Sequence, residues 1–103
     1  MIMAKNKMKH KSKKKNSILI LTTEGCEACD IAINNVKLAI TQSSKEIELI
    51  IKDYHDIDKQ FIKFNKIKDF PTIIYFQGND SVNQKTGTYP VSVYLRWIDI
   101  WFK

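Results

Sequence analysis

Short apolar runs, set apart by stretches with helical patterning, constrain this chain more than any other feature. Ile18-Leu19-Ile20-Leu21, Ile47-Glu48-Leu49-Ile50-Ile51 and Ile73-Ile74-Tyr75-Phe76 are too short for helices and rich in β-branched and aromatic residues. Such runs are buried strands. Between them, Asp30 to Thr41 carries Ile33, Val36, Leu38 and Ile40 at roughly helical spacing, and Gln42-Ser43-Ser44 breaks the pattern. Asp56 or Asp58 can cap a second helix over Lys59 to Ile67, with Phe61, Ile62 and Phe64 turned inward. Strands are therefore expected over Ser17 to Thr23, Glu46 to Asp53 and Ile73 to Phe76. Gly78-Asn79-Asp80 is a turn, Val82 to Thr86 a weaker strand that Gly87 closes. Pro90 suits the first residue of a last helix running to Trp101. The order is βαβαββα. Strands that alternate with helices imply parallel pairing, and the final pair of strands implies a hairpin. The fold class is α/β, with a four-stranded mixed sheet flanked by helices.

Charge divides the chain in two. Residues 1–17 hold seven lysines and no acid, while the remaining 86 hold ten basic and eleven acidic residues. The net charge of +6 thus belongs to a tail. Residues 1–16 lack apolar periodicity and are expected to be disordered; residues 17–103 form the single folded domain. No aromatic residue interleaves Lys11-Ser12-Lys13-Lys14-Lys15, so nucleic-acid binding through base stacking is not expected. No apolar stretch approaches the ~18 residues of a membrane span. The run Ile18–Leu21 is too short for a signal-peptide core, and Glu24 ends it without a small-residue cleavage site. A cytoplasmic protein without membrane association is expected.

Cys26 and Cys29, the only cysteines, lie where the first apolar run ends and the first helical pattern begins. A helix N-terminus presents free N–H groups and the positive end of the dipole, which favour an anion. The thiolate is the nucleophile of disulfide exchange, so Cys26 is placed to be reactive. Cys29, one turn on, is near enough to attack a mixed disulfide formed at Cys26. Half a zinc or iron–sulfur site, a purely structural disulfide and a pair of inert cysteines are the competing readings. Structural zinc takes four ligands, and the only histidines are His10 and His55. Glu24 and Glu27 flank the nucleophile, and negative charge nearby disfavours a thiolate. They are either tuning groups or a solvated acidic rim.

A CxxC pair on a strand-to-helix turn, with Phe70-Pro71-Thr72 opening a strand some forty residues later, resembles the thioredoxin family. The resemblance covers about residues 17 to 103. It implies a cis-proline at Pro71 beside the cysteines, and a backbone at Phe70 that pairs with extended substrate. It implies a partner lysine at Lys52. It implies a thiol–disulfide oxidoreductase for protein disulfides, without bound cofactor or metal, restored by a thioredoxin reductase or by glutathione. The chain departs from the family pattern at several positions. Gly25 stands where Trp is usual, Glu27-Ala28 replace Gly-Pro, and Ile20 occupies the place of the buried Asp that assists proton transfer. Gln77-Gly78-Asn79 lacks the Gly-Gly pair of glutaredoxins. These departures keep a second reading open, a non-catalytic thioredoxin-like adaptor or redox sensor.

Thioredoxins also carry a strand and helix ahead of the strand that leads to CxxC. Here only lysine-rich sequence precedes it, so the resemblance implies a trimmed fold with Ile47–Ile51 on a sheet edge. In the last helix, Val91, Leu95, Ile98 and Phe102 form one apolar stripe and Tyr94, Trp97 and Trp101 a second. One stripe is expected to face the sheet. The uncovered edge and the second stripe are both association surfaces, so a homodimer or a dedicated protein partner is expected.

Overall fold

The computed structural model describes residues 15–102. The disorder expected of the lysine-rich tail therefore lies outside the described residues up to Lys14. Asn16 departs from that expectation. It is buried, begins the first strand and pairs with Ile47 and Gln77.

Strand β1 (Asn16–Thr22) leads through a short turn into helix α1 (Glu27–Gln42), then β2 (Ile47–Asp53). A 3₁₀ turn (Tyr54–Asp56) and α2 (Lys59–Phe64) connect to β3 (Thr72–Gln77), the hairpin partner β4 (Asp80–Thr86) and α3 (Val91–Trp101). Among the described residues the sheet order is β2-β1-β3-β4. β2 runs parallel to β1, as the intervening helix requires. β3 runs antiparallel to β1, and β4 antiparallel to β3. The parallel pairing expected of alternating strands thus holds only for the first crossover. The segment from β2 to β3 carries α2 to the opposite face from α1 and returns the chain in the reverse direction.

Both faces of the sheet are covered, which is why the central strands are apolar throughout. Ile18, Leu19, Ile20 and Leu21 are all fully buried, as are Ile73 and Tyr75. Side chains alternate between faces. Ile18, Ile20, Ile73 and Tyr75 pack under α1 and α3, while Leu19, Leu21, Ile74 and Phe76 pack against Ile57, Phe61 and Ile67 on the α2 side. Burying one such side chain stabilises by roughly 1.5–3 kcal/mol.

Helix α1 starts at Glu27 rather than Asp30; of its expected core face Val36 is buried and Ile33 and Ile40 pack against the core, while Leu38 turns outward. Cys29, Ala32, Val36 and Ala39 are buried, at helical spacing, whereas Leu38 and Ile31 are about half exposed. The alanines let α1 sit close to the sheet and α3. In α2, Asp58 caps Gln60 N–H at 2.8 Å and Phe61 is buried, but Phe64 points outward. A helix this short turns only one residue fully inward. Pro90 is the cap residue before α3 rather than its first residue.

Helix α3 shares out its two stripes. Ile98, Phe102 and Tyr94 are buried, and Trp97 and Trp101 are half-buried. The two indoles stack at 5.2 Å under the Lys85 ammonium of β4, and Trp101 meets Tyr75 edge-on at 4.9 Å. The aromatic stripe is thus bound into the core's margin rather than left free.

Candidate active site at the end of the first strand

Gly25 adopts φ of 73°, a left-handed conformation that a Cβ disfavours, and turns the chain from β1 into α1. That turn makes Cys26 the cap residue of α1. Its Sγ accepts the Cys29 N–H at 3.0 Å, in the role a serine or aspartate oxygen usually takes. Cys26 and Cys29 are joined by a disulfide with Cα atoms 5.2 Å apart. The two sulfurs have different surroundings. Cys26 is partly exposed, while Cys29 is 2 % exposed and belongs to the buried face of α1. A reagent from solvent therefore meets Cys26 first.

A hollow of about 330 Å³ opens beside the disulfide. Thr22, Thr23, Gly25, Glu27, Asp30, Ile33 and Ile51 line it with the two cysteines. The hollow is apolar at Ile33 and Ile51 and acidic at Glu27 and Asp30, the two carboxylates of the first helical turn. Those carboxylates stabilise the helix N-terminus. They oppose a thiolate at the same place.

Sheet register brings the second motif to the same end. Leu21 pairs with Thr72, so the end of β1 that leads to Cys26 lies beside the start of β3. The Phe70–Pro71 peptide bond is cis. The Pro71 carbonyl accepts from Gly87 N–H at 2.9 Å, and Thr88 Oγ1 donates to the Ala28 carbonyl at 2.9 Å. Asn35 Nδ2 donates to the Tyr89 carbonyl at 3.0 Å. One segment, residues 87–89, thereby ties the proline to the helix that holds the cysteines. These contacts link residues up to 60 apart in sequence and carry no motif that reading the sequence would find.

Of the expected site residues, the structure gathers Cys26, Cys29 and Glu27 around the hollow and sets Pro71 at the same end of the sheet. Glu24 lies exposed in the preceding turn, outside the hollow's lining. Lys52 follows Ile51 on β2, so its side chain stands on the opposite face of the sheet from the hollow. Its carbonyl accepts from Thr22 Oγ1 at 3.4 Å. Phe70 is partly buried, with the Tyr54 ring 4.9 Å away and the His55 ring 4.0 Å beyond that. Asp53 Oδ1 accepts the His55 N–H at 2.9 Å and lies 2.8 Å from His55 Nδ1. These bonds, the backbone one foremost, hold the Asp53 carboxyl below its ordinary value. No cluster of three or more His, Cys, Asp or Glu side chains that could hold a metal occurs among the described residues. Nor is any helix there long and apolar enough to cross a membrane.

No protein-family model matches the sequence, and no curated protein matches it either. Solved structures do match in shape. A thioredoxin-2, described as a component of malaria parasite protein secretion machinery, superposes with a TM-score of 0.72 at 18% identity, covering 86% of this chain and 85% of that one. A chloroplastic thioredoxin z gives 0.68 at 12% identity over 85% and 79% of the two chains. The oxidised mitochondrial thioredoxin 3 of Saccharomyces cerevisiae gives 0.67 at 11% identity over 84% and 80%. The chain has the thioredoxin-like fold, as the CxxC and Phe70-Pro71 motifs implied.

Proposed function

We propose that this chain is a thiol–disulfide oxidoreductase that reduces or equilibrates disulfides in protein substrates. The observation that carries the reading is the asymmetry of the cysteine pair. Cys26 is partly exposed at a helix N-terminus, and Cys29 is buried one turn behind it. In the reduced form the Cys26 thiolate attacks one substrate sulfur. The substrate S–S bond breaks, its other sulfur leaves as a thiolate and takes a proton, and a mixed disulfide remains. Cys29, deprotonated, then attacks Cys26 Sγ and releases the second substrate thiol. Two electrons have passed to the substrate, and Cys26–Cys29 is left oxidised. A reductase dithiol or two glutathione molecules return the electrons. Phe70 and Pro71 are the proposed substrate-pairing backbone and Glu27 the proposed tuning group; Glu24, outside the hollow, and Lys52, on the opposite face of the sheet, are not placed to act on Cys26. The proposed compartment is the cytoplasm, where a lone vicinal cysteine pair is more often catalytic than structural.

The adaptor or redox-sensor reading keeps one observation in its favour. Ile20, at the place of the buried proton-transfer acid, is fully buried among apolar groups. Two measurements divide the readings. The oxidoreductase accelerates dithiothreitol-driven reduction of insulin disulfides, and Cys29→Ser accumulates mixed disulfides with client proteins that dithiothreitol releases. A folded protein with neither property is the adaptor.

A further inference from the structure

Strand β2 forms one edge of the sheet among the described residues, with β1 on its other side. An edge of seven residues presents a row of backbone donors and acceptors, and this one has neither proline nor glycine. Its Ile51 is 42% exposed. The sequence Ile47-Glu48-Leu49-Ile50-Ile51-Lys52-Asp53 is nearly self-complementary when reversed about Ile50. Glu48 then stands opposite Lys52, Leu49 opposite Ile51 and Ile50 opposite itself. In a shared sheet, paired residues must point to the same face, so only pairings about a residue are allowed. Pairing about Leu49 sets Glu48 against Ile50, and pairing about Ile51 sets Ile50 against Lys52. Pairing about Leu49 also opposes Ile47 with Ile51 and Glu46 with Lys52, but it buries the Glu48–Ile50 mismatch at the centre of the contact and reaches beyond the strand; the Ile50 register keeps its mismatch, Ile47 against Asp53, at the ends.

We propose that two copies of this chain join antiparallel through β2 about a two-fold axis at Ile50, merging their four-stranded sheets into one. The occupant of the edge is a second copy because the strand carries its own complement. The two-fold axis makes the Glu48–Lys52 pair twice, and both pairs lie on the α2 face with Ile50. Glu48 has an interaction within its own chain. A carboxylate has acceptor sites enough for a second partner. On the α1 face, Leu49 of the second copy stands opposite Ile51, which lines the disulfide hollow. Each copy thus extends the wall of the other's hollow. A C₂ interface of this kind closes on itself and leaves β4, not β2, as the outer edge.

The test is sedimentation equilibrium of the full chain from about 10 μM to ~1 mM, with the disulfide intact and again in reductant, which removes any intermolecular disulfide. The wild type sediments at twice its 12.0 kDa mass in both. Glu48→Lys and Lys52→Glu each set like charges face to face twice and weaken the dimer by about tenfold or more. The double variant Glu48→Lys/Lys52→Glu restores opposite charges and returns the affinity to within about threefold of wild type. Backbone amide exchange gives a second readout that needs no variant: protection along β2 rises with protein concentration. A wild type that stays monomeric at ~1 mM, where only associations weaker than about −4 kcal/mol escape detection, overturns the proposal. So does a dimer indifferent to the charge swaps, or one whose β2 amides show no added protection. Neither readout measures disulfide-exchange activity, so a monomer leaves the redox reading standing, and an inactive dimer leaves the assembly standing.

Discussion

Ile20→Asp places an acid where the thioredoxin pattern has one, and the surroundings of Ile20 set its cost. Ile20 is fully buried on the central strand, paired in register with Ile51 and Ile73 and packed among Ala32, Val36 and Tyr75. Losing the buried isoleucine removes roughly 1.5–3 kcal/mol of apolar burial. A carboxyl left without a hydrogen-bond partner there costs about 1–3 kcal/mol more, even in its neutral form. The expected loss is about 4 kcal/mol, a large part of the ~5–15 kcal/mol that holds a domain folded. For a domain of this size the melting temperature falls by roughly 4–8 °C per kcal/mol, hence by about 15–30 °C. Ile20→Val isolates the apolar part, at about 0.5–1.5 kcal/mol. Urea unfolding measured by circular dichroism gives both numbers, and insulin reduction assayed beside it reports whether the acid helps. An aspartate variant as stable as the valine variant refutes the reasoning, because it shows that a polar group at position 20 finds water or a partner. Faster turnover in the same variant would then mark the chain as lacking only that acid.

The site and the core yield three further expected outcomes. After reduction, iodoacetamide near neutral pH labels Cys26 before Cys29, which is 2 % exposed; mass mapping of partly alkylated protein checks the order, and labelling of Cys29 first sinks the mechanism. Glu27→Gln lowers the pH at which the Cys26 thiolate absorbance appears, because a carboxylate of the first helical turn is neutralised beside it; an unmoved titration makes Glu27 a mere rim. Burial, first among the causes, pushes the Tyr75 and Tyr94 phenols above their ordinary value of 10, so these groups favour the folded state below pH 10 and that contribution is lost as pH rises beyond it. Tyr75→Phe therefore flattens the fall in stability above pH 10. Near pH 7 it is neutral or stabilising, since the Tyr75 hydroxyl is buried with no hydrogen-bond partner among the described residues, while a melting point lowered by several degrees would reveal one.

The elements most legible in the sequence are those whose burial is two-sided. Ile18–Leu21 and Ile73–Phe76 are apolar at every position because helices cover both faces of β1 and β3, and a continuous apolar run has no other use at that length. Strand direction is different. Nothing in Ile73-Ile74-Tyr75-Phe76 distinguishes parallel from antiparallel pairing, which is decided by where the chain between Tyr54 and Pro71 crosses the sheet. The interior of α1 misled for another physical reason. Hydrophobic patterning weights Leu38 over the alanines, yet close approach to β1 and α3 rewards small volume, so Ala32 and Ala39 join Val36 on the inside and Leu38 turns out.

The candidate site divides along the same line between local and distant causes. A cysteine that caps a helix is a local event: Gly25, Cys26 and the Cys29 amide lie within five residues, and the spacing alone announces them. What holds the proline against that helix is not local. Gly87 N–H to the Pro71 carbonyl, Thr88 Oγ1 to the Ala28 carbonyl and Asn35 to the Tyr89 carbonyl all pass through residues 87–89, which carry no motif and contribute no reacting atom. The buried Tyr94 hydroxyl accepts the Tyr89 N–H at 3.1 Å and anchors the segment to α3. Disulfide exchange demands three sulfurs in line, so for the proposed oxidoreductase the distance between the Phe70–Pro71 backbone and Cys26 matters more than any single side chain around it. That distance is set by the segment the sequence leaves silent. The departures at Gly25, Glu27 and Ala28 fall within the cysteine turn itself, whereas the placement of Pro71 relative to that turn rests on Thr88, Tyr89 and Tyr94.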